Sequence, residues 1–284
     1  MQLLNAQIKP DSNIFLIGDT HEGARLFDED GWDVLVEMLN SPYDGCANNY
    51  YVDHGDSIEA ILVDDPRFGH AETRDARTLT QMDGAVARRR KIASKCLCWL
   101  TGNHEYKLQR FGDVSERMAR DLGVPYGTYS AKITYRSNGS ILFKGFHTHG
   151  FGTMSHQAGD EEQRIANQKV KMKRLLRFKA ADCYLQSMGH THRLLVRPPL
   201  LKLNIVDDGS KLKQVYDKPP DKFKQGDLLH EDMRWYVNTG CFLKTMALGF
   251  SGYAERAGYD PAVLGFAVAV VRGGKLVNVR EEKI

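Results

Sequence analysis

The sequence predicts an α/β domain. Three apolar, β-prone runs, Ile14-Phe15-Leu16-Ile17, Tyr50-Tyr51-Val52 and Leu97-Cys98-Trp99-Leu100, each run into a glycine-punctuated turn, as buried strands do where they end in loops. Between the first two lies an amphipathic stretch at 28–39 that opens with Asp28-Glu29-Asp30, acids that suit a helix N-terminus. Strand, helix and strand then make a βαβ opening. At 284 residues the chain can bury one large core, and no Pro-, Gly- or Ser-rich linker divides it, so residues 1–284 are expected to form a single domain.

The remaining elements follow in order. The stretch after Asp56 is long and charged, with Asp64-Asp65-Pro66-Arg67-Phe68-Gly69-His70 leading into a helix-like segment at about 72–93. It is read as a helical insertion at about 64–93 that roofs one side of a site. Short helices are expected at 105–110 and 114–122, then a hairpin with strands at 129–136 and 141–147 joined at Asn138-Gly139, a strong turn signal. Residues 159–180 read as an amphipathic helix, with Lys169, Lys171, Lys173, Arg174, Arg177 and Lys179 crowded into its second half. A strand at 184–188 follows, and the alternation over 193–216 suggests hairpins of a second sheet turning at Asp208-Gly209, within a surface hairpin and loop region at about 195–232. A strand from Trp235 and a final hairpin, 263–271 with 275–280 across Gly273-Gly274, complete the chain.

The chemistry is concentrated in five short clusters: Gly18-Asp19-Thr20-His21, Gly55-Asp56, Gly102-Asn103-His104-Glu105, His149-Gly150 and Gly189-His190-Thr191-His192. Singly, a Gly-Asp pair is a turn and a histidine is a core or surface residue. Together, carboxylates, an amide carbonyl and imidazoles at successive strand ends are the oxygen and nitrogen donors that suit Mn, Fe or Zn rather than Cu(I) or Ca. Loops at the carboxyl ends of strands converge in one crevice, so five such loops can build one metal site. No G-x-S-x-G elbow and no cysteine in a catalytic context competes with this reading.

The ordered set GDTH, GD, GNHE, HG and GHTH resembles the calcineurin-like metallophosphoesterases, and most of all their stand-alone members in bacteria and phages. The resemblance runs from Gly18 to His192. It implies two mixed β-sheets packed face to face with helices on both outer sides, and two divalent metal ions. Asp19, His21, Asp56 and His192 would hold the first ion and Asp56, Asn103, His149 and His190 the second, with Asp56 as the bridge. Mn is the ion expected in assays, with Fe, Zn, Ni or Co as alternatives. A hydroxide bridging the metals would be the nucleophile, and His104 would protonate the leaving oxygen or steady the transition state. Glu105 would be a partner orienting such a histidine.

One departure narrows the activity. Gly55-Asp56-Ser57-Ile58-Glu59 stands where protein Ser/Thr phosphatases carry GDxVDRG, so the arginine that grips a phosphomonoester is missing. This argues against a phosphoprotein phosphatase and a symmetrical dinucleoside polyphosphate hydrolase, and for a phosphodiesterase. The expected substrate is a phosphodiester, with nucleotides and nucleic acid as candidates. The alternatives are a small-molecule phosphomonoesterase, a nuclease acting on nucleic-acid ends, and a non-catalytic metal-containing nucleic-acid-binding module.

Composition sets the remaining expectations. Hydrophobic residues at 42% and charged residues at 26% are globular values. A net charge of +3 is too small to decide for nucleic acid, and the basic half of 159–180 reads either as a phosphate-binding patch or as a solvated face that suits a helix C-terminus. No apolar run reaches membrane-span length and the first ten residues lack a signal-peptide core, so a cytoplasmic protein without membrane or protein partners is expected. Cys46, Cys96, Cys98, Cys183 and Cys241 form no metal or redox motif and read as buried free thiols. Glu59 reads as a turn or helix-start residue, and Asn238, Thr239 and Gly240 as a strand end. His54 and His147 are candidates for orienting substrate, although strand alternation turns them away from their neighbouring ligands. The polar and aromatic stretch 253–265 reads either as a rim loop contacting substrate or as a plain connection between strands.

Overall fold

The computed structural model describes residues 1–65, 68–69, 72–154, 158–249 and 251–284. In order, the chain forms β1 (Gln2–Gln7), β2 (Ser12–Ile17), α1 (Glu29–Asn40), β3 (Asn49–Asp53), α2 (Thr78–Arg90), β4 (Cys96–Trp99), α3 (Asn103–Tyr106) and α4 (Val114–Leu122). It continues through β5 (Ser130–Ser137), β6 (Ser140–Thr148), α5 (Glu161–Leu176), β7 (Leu185–Met188), β8 (Leu194–Arg197), β9 (Leu203–Asp207), β10 (Leu212–Tyr216), β11 (Trp235–Thr239), α6 (Tyr253–Arg256), β12 (Gly265–Arg272) and β13 (Lys275–Lys283). The α/β class is as expected, and both larger sheets are mixed.

One sheet has five strands in the order β13-β12-β2-β3-β4, the other six in the order β1-β5-β6-β7-β11-β8. Strands β2, β3 and β4 run parallel, as do β6, β7 and β11. Ile14, Leu16 and Val52 of the first sheet share one buried cluster with Ile133, Phe143, Leu185 and Val237 of the second. The other face of the five-stranded sheet, with Phe15, Ile17 and Val268, packs with Trp32, Leu35 and Leu39 of α1, Met82 and Ala85 of α2 and Met118 of α4. The other face of the six-stranded sheet, with Phe146, Met188 and Tyr236, packs with Met172 and Leu176 of α5. A strand whose two faces both meet apolar layers reads as a continuous apolar run, which is why β2 is buried at all six positions.

Several expectations need correcting. β1 was not anticipated, because it is a mostly exposed edge strand whose short sequence mixes polar and apolar residues without a sustained apolar run, paired only to β5. The helix expected from about 72 begins at Thr78, since the Asp75 side chain accepts the Arg77 backbone N–H at 2.8 Å and offers that backbone a turn in place of a helix. Residues Gln81, Met82, Ala85, Val86 and Arg89 of α2 are buried, so one face of the insertion's helix belongs to the apolar layer outside the five-stranded sheet. Pro66, Arg67 and His70 of the insertion lie outside the described residues. The alternating 193–216 stretch divides: β8 joins the six-stranded sheet, while β9 and β10 pair only with each other as an exposed ribbon. Alternation reports a strand but not its partner.

The five cysteines are buried and free. No helix among the described residues is long and apolar enough to cross a membrane.

Candidate metal centre

The motif loops follow the carboxyl ends of parallel strands in both sheets. Asp19 and His21 follow β2, Asp56 follows β3, Asn103 and His104 open α3 after β4, His149 follows β6, and His190 and His192 follow β7. The loops are laced together by backbone bonds, with Asp19 N–H donating to Gly55 O and His21 N–H to Asp56 O, each at 2.9 Å. Two glycines permit the approach. A Cβ on Gly102 would collide with the Asp56 carboxylate and amide nitrogen, and one on Gly189 would lie 2.5 Å from Asp19 Oδ2.

These loops bring the predicted ligands into two sets, Asp19, His21 and His192 in one and Asp56, His149 and His190 in the other. Asn103 joins the second set, its Oδ1 lying 2.8 Å from His149 Nε2 and 2.6 Å from His190 Nδ1. Asp56 faces both sets: its Oδ2 is 3.3 Å from His149 Nε2 and 4.0 Å from His21 Nε2. His21 Nε2 and His192 Nε2 approach to 3.1 Å, and His192 Nε2 lies 3.4 Å from Asp19 Oδ1. Donor atoms with lone pairs turned on one another at these separations form a nest for cations, and the set, with Asp19, His21, Asp56 and His149 buried and Asn103, His190 and His192 partly open to solvent, fits divalent ions of the Mn, Fe or Zn kind.

The backbone carries the strain of this arrangement. Nine non-glycine residues among those described have left-handed φ, and five are predicted ligands: Asp19 (53°), His21 (52°), Asp56 (48°), His190 (71°) and His192 (52°). Each such residue costs on the order of 1–3 kcal/mol and persists only where its surroundings over-determine it, a situation that clusters at functional sites.

Electrostatics point the same way. Burial alone would raise Asp56, but His149, His104 and His21 hold its carboxyl well below the usual range. Asp19 is lowered against its burial by His192 and His149. Burial would depress the imidazoles of His21 and His149, yet Glu59, Asp56 and Asp19 lift His21 to about 9, and Asp56 and Asp19 lift His149 to about 10. The carboxylates thus favour positive charge at the imidazoles, a charge that either protons or a bound cation can supply.

Surrounding residues fix the ligands. His21 Nδ1 lies 2.7 Å from Glu59 Oε2, and His149 Nδ1 lies 2.8 Å from the carbonyl oxygen of His54, so both rings turn Nε2 inward. Glu59, read from sequence as a turn residue, therefore belongs to the site. Its backbone carbonyl accepts from His104 Nδ1, which leaves His104 Nε2 unengaged by that bond. The group His21, Glu59 and His104 also has the composition of a metal cluster, but the Nδ1 atoms of both rings are already bonded to Glu59.

Glu105 corrects the sequence reading in the other direction, since it orients backbone rather than a histidine. Its carboxylate accepts N–H groups of Asp56 (3.1 Å), Ser57 (2.6 Å), Ile58 (3.3 Å) and Gly102 (3.0 Å). The turn after β3 points three of these amides, and the start of α3 the fourth, at one spot, and a carboxylate satisfies them all. Burial, with Asp56 nearby, pushes Glu105 up to about 7. Arg89 of α2 had no sequence signal: buried beneath the same loops, it donates to Asp53 Oδ2 at 2.7 Å and to Thr20 Oγ1 at 3.0 Å. Asn238 does more than end a strand, because its amide donates to the Thr191 hydroxyl between His190 and His192.

His54 and His147 do not face substrate. Both are buried and converge on Ser187 Oγ, at 2.6 Å from His54 Nε2 and 2.7 Å from His147 Nδ1. His54 Nδ1–H donates to Ile17 O at 3.0 Å, so its Nε2 accepts the serine proton. His147 Nδ1–H then donates to Ser187 Oγ, and its Nε2 accepts from Tyr135 OH at 2.8 Å. One proton per bond satisfies the whole chain. Sealed in the core, Ser187 cannot serve as a nucleophile. The basic half of α5 is partly neutralised internally: Lys173 pairs with Glu231 at 2.9 Å and with Asp232, and Arg177 pairs with Glu231 at 3.3 Å.

Comparison with known protein families gives no match, and comparison with curated proteins gives none either.

Proposed function

We propose that the chain is a dinuclear metal-dependent phosphoesterase of the calcineurin-like, four-layer kind, acting on a phosphodiester. The observation that carries this reading is Asp56 Oδ2 lying between His21 of one ligand set and His149 of the other. The core shared by the two sheets and the helices on their outer faces support the architecture. Asp19, His21, Asp56 and His192 would hold one ion and Asp56, Asn103, His149 and His190 the other. Such a pair, when bound, supplies an activated water and neutralises charge on the phosphoryl oxygens. The chain's own residues do the rest. Asp56 and Asn103 would contribute ligand oxygens, and the backbone bonds between the loops hold these side chains in place. His104 is held at Nδ1 by the Glu59 carbonyl, so proton exchange with a leaving oxygen falls to Nε2.

The diester preference follows from what replaces the missing arginine. In Gly55-Asp56-Ser57-Ile58-Glu59-Ala60 the arginine's place in GDxVDRG falls to Ala60, which has no polar side chain, and no guanidinium fork is among the ligand set to grip a second charged oxygen. A diester brings one negative charge, a monoester two. With Mn²⁺-loaded protein, hydrolysis of bis(p-nitrophenyl) phosphate should exceed that of p-nitrophenyl phosphate at equal concentration and pH. A clear preference for the monoester would favour a small-molecule phosphatase, and chelator-resistant activity would contradict the metal-dependent scheme.

A further inference from the structure

An aromatic wall leads out of the site. The ring of His149 meets that of Tyr129 edge-on, with centroids 5.5 Å apart, and Tyr129 meets Tyr106 in the same manner at 6.2 Å. Tyr129 is anchored by its hydroxyl, which donates to Gly150 O at 2.8 Å. Tyr106 is 54% exposed, so its ring is open to a ligand on the side away from Tyr129. It stands on the single turn of α3, where Asn103 and Tyr106 are three residues apart and so share one helix face. The amide that faces His149 and His190 therefore has the exposed ring beside it. The backbone that carries the ring is held: Tyr106 N–H donates to Gly102 O at 3.0 Å, Gly102 N–H is held by Glu105, and Lys107 pairs with Asp65 at 3.7 Å.

We infer that Tyr106, buttressed by Tyr129, is a stacking platform that selects substrates carrying a planar aromatic base next to the phosphate, making nucleotides or single-stranded nucleic-acid ends the substrate class. This rests on the phosphoesterase reading for the site's chemistry, but base selection can be measured without turnover. A fixed exposed ring loses little freedom when a base stacks on it, and such stacking tolerates any base because each has a π-face. The diester selectivity of the metal site and the base selectivity of the wall are then separate properties of adjacent residues.

The test compares binding of adenosine 5′-monophosphate with that of ribose 5-phosphate by calorimetry, using full-length Mn²⁺-loaded protein, its Tyr106→Ala variant and its Tyr106→Trp variant. Wild type should bind the nucleotide about tenfold more tightly than the sugar phosphate, within the range for one stacked base. The ratio should fall towards one in Tyr106→Ala and be kept or raised in Tyr106→Trp. Equal affinity of wild type for both ligands, or an unchanged ratio in Tyr106→Ala, overturns the proposal. Base selectivity lost in Tyr106→Ala but accompanied by no hydrolysis of any diester would support the platform while contradicting the phosphoesterase reading.

Discussion

Glu59 Oε2 lies 2.7 Å from Nδ1 of His21, and the same residue's carbonyl oxygen accepts from Nδ1 of His104. One residue thereby orients a predicted metal ligand and the predicted proton donor. Replacing Glu59 with Ala removes the carboxylate and leaves the carbonyl. The expected result is a 10–100-fold loss of metal affinity, the usual cost of removing such a partner, with a smaller loss in Glu59→Gln, whose amide oxygen still accepts. Calorimetric titration with Mn²⁺ checks this. Unchanged affinity in both variants would show that Glu59 does not orient the ligand.

His104→Ala should keep its metal content and slow diester hydrolysis by about 10²–10⁴-fold, the range for a positioned acid. The deficit should shrink when the leaving group is p-nitrophenolate, which needs little protonation. Loss of metal from this variant would make His104 a ligand instead.

The His54–Ser187–His147–Tyr135 chain sets a stability prediction. Ser187→Ala leaves His54 Nε2 without its donor and His147 Nδ1–H without its acceptor, in a site closed to water. A cost of about 1–3 kcal/mol follows for buried polar groups left unpaired, read from urea unfolding. An effect below about 0.5 kcal/mol would mean that the chain relaxes around the loss.

The same chain sets an acid limit. Burial lowers His54 from 6.5 to about 4 and holds His147 well below its ordinary value. Both imidazoles are neutral when folded and take up protons when unfolded below pH 6.5. The unfolded state then binds more protons, so stability present above 6.5 is lost as pH falls through 4. His21 and His149 act oppositely in protein freed of metal: their pKa values, raised to about 9 and about 10, give stability present below 6.5 and lost as pH rises through 9 to 10. Thermal unfolding across pH 4–10 with chelator should therefore fall away on both sides of neutrality. Added Mn²⁺ should lift the alkaline side, since metal takes the place of those protons.

The predicted ligand positions were legible because their spacing after apolar runs marks loops at strand ends, and the structure brings Asp19, His21, Asp56, Asn103, His149, His190 and His192 together as that spacing implies. Most strands were legible for the same reason: β2 and β12 carry continuous apolar runs. The edge strand β1 was not, because only its backbone pairing to β5 defines it. Glu59, Arg89 and Ser187 escaped for a different reason. Each acts through a partner more than thirty residues away, and no local pattern records such a contact. Glu105 shows the remaining limit: the sequence marked a carboxylate beside the site, but only the path of the turn after β3 decides that backbone amides rather than an imidazole meet it.

Asp56 is proposed to bridge two ions, and metal content reads that role without any assay of turnover. Plasma mass spectrometry on protein reconstituted with Mn²⁺ and desalted should give two ions per chain for wild type, falling to one or none in Asp56→Asn, whose amide cannot balance the charge of a pair. A single ion per chain in wild type, or an Asp56→Asn variant that still holds two, would rule out a bridging Asp56.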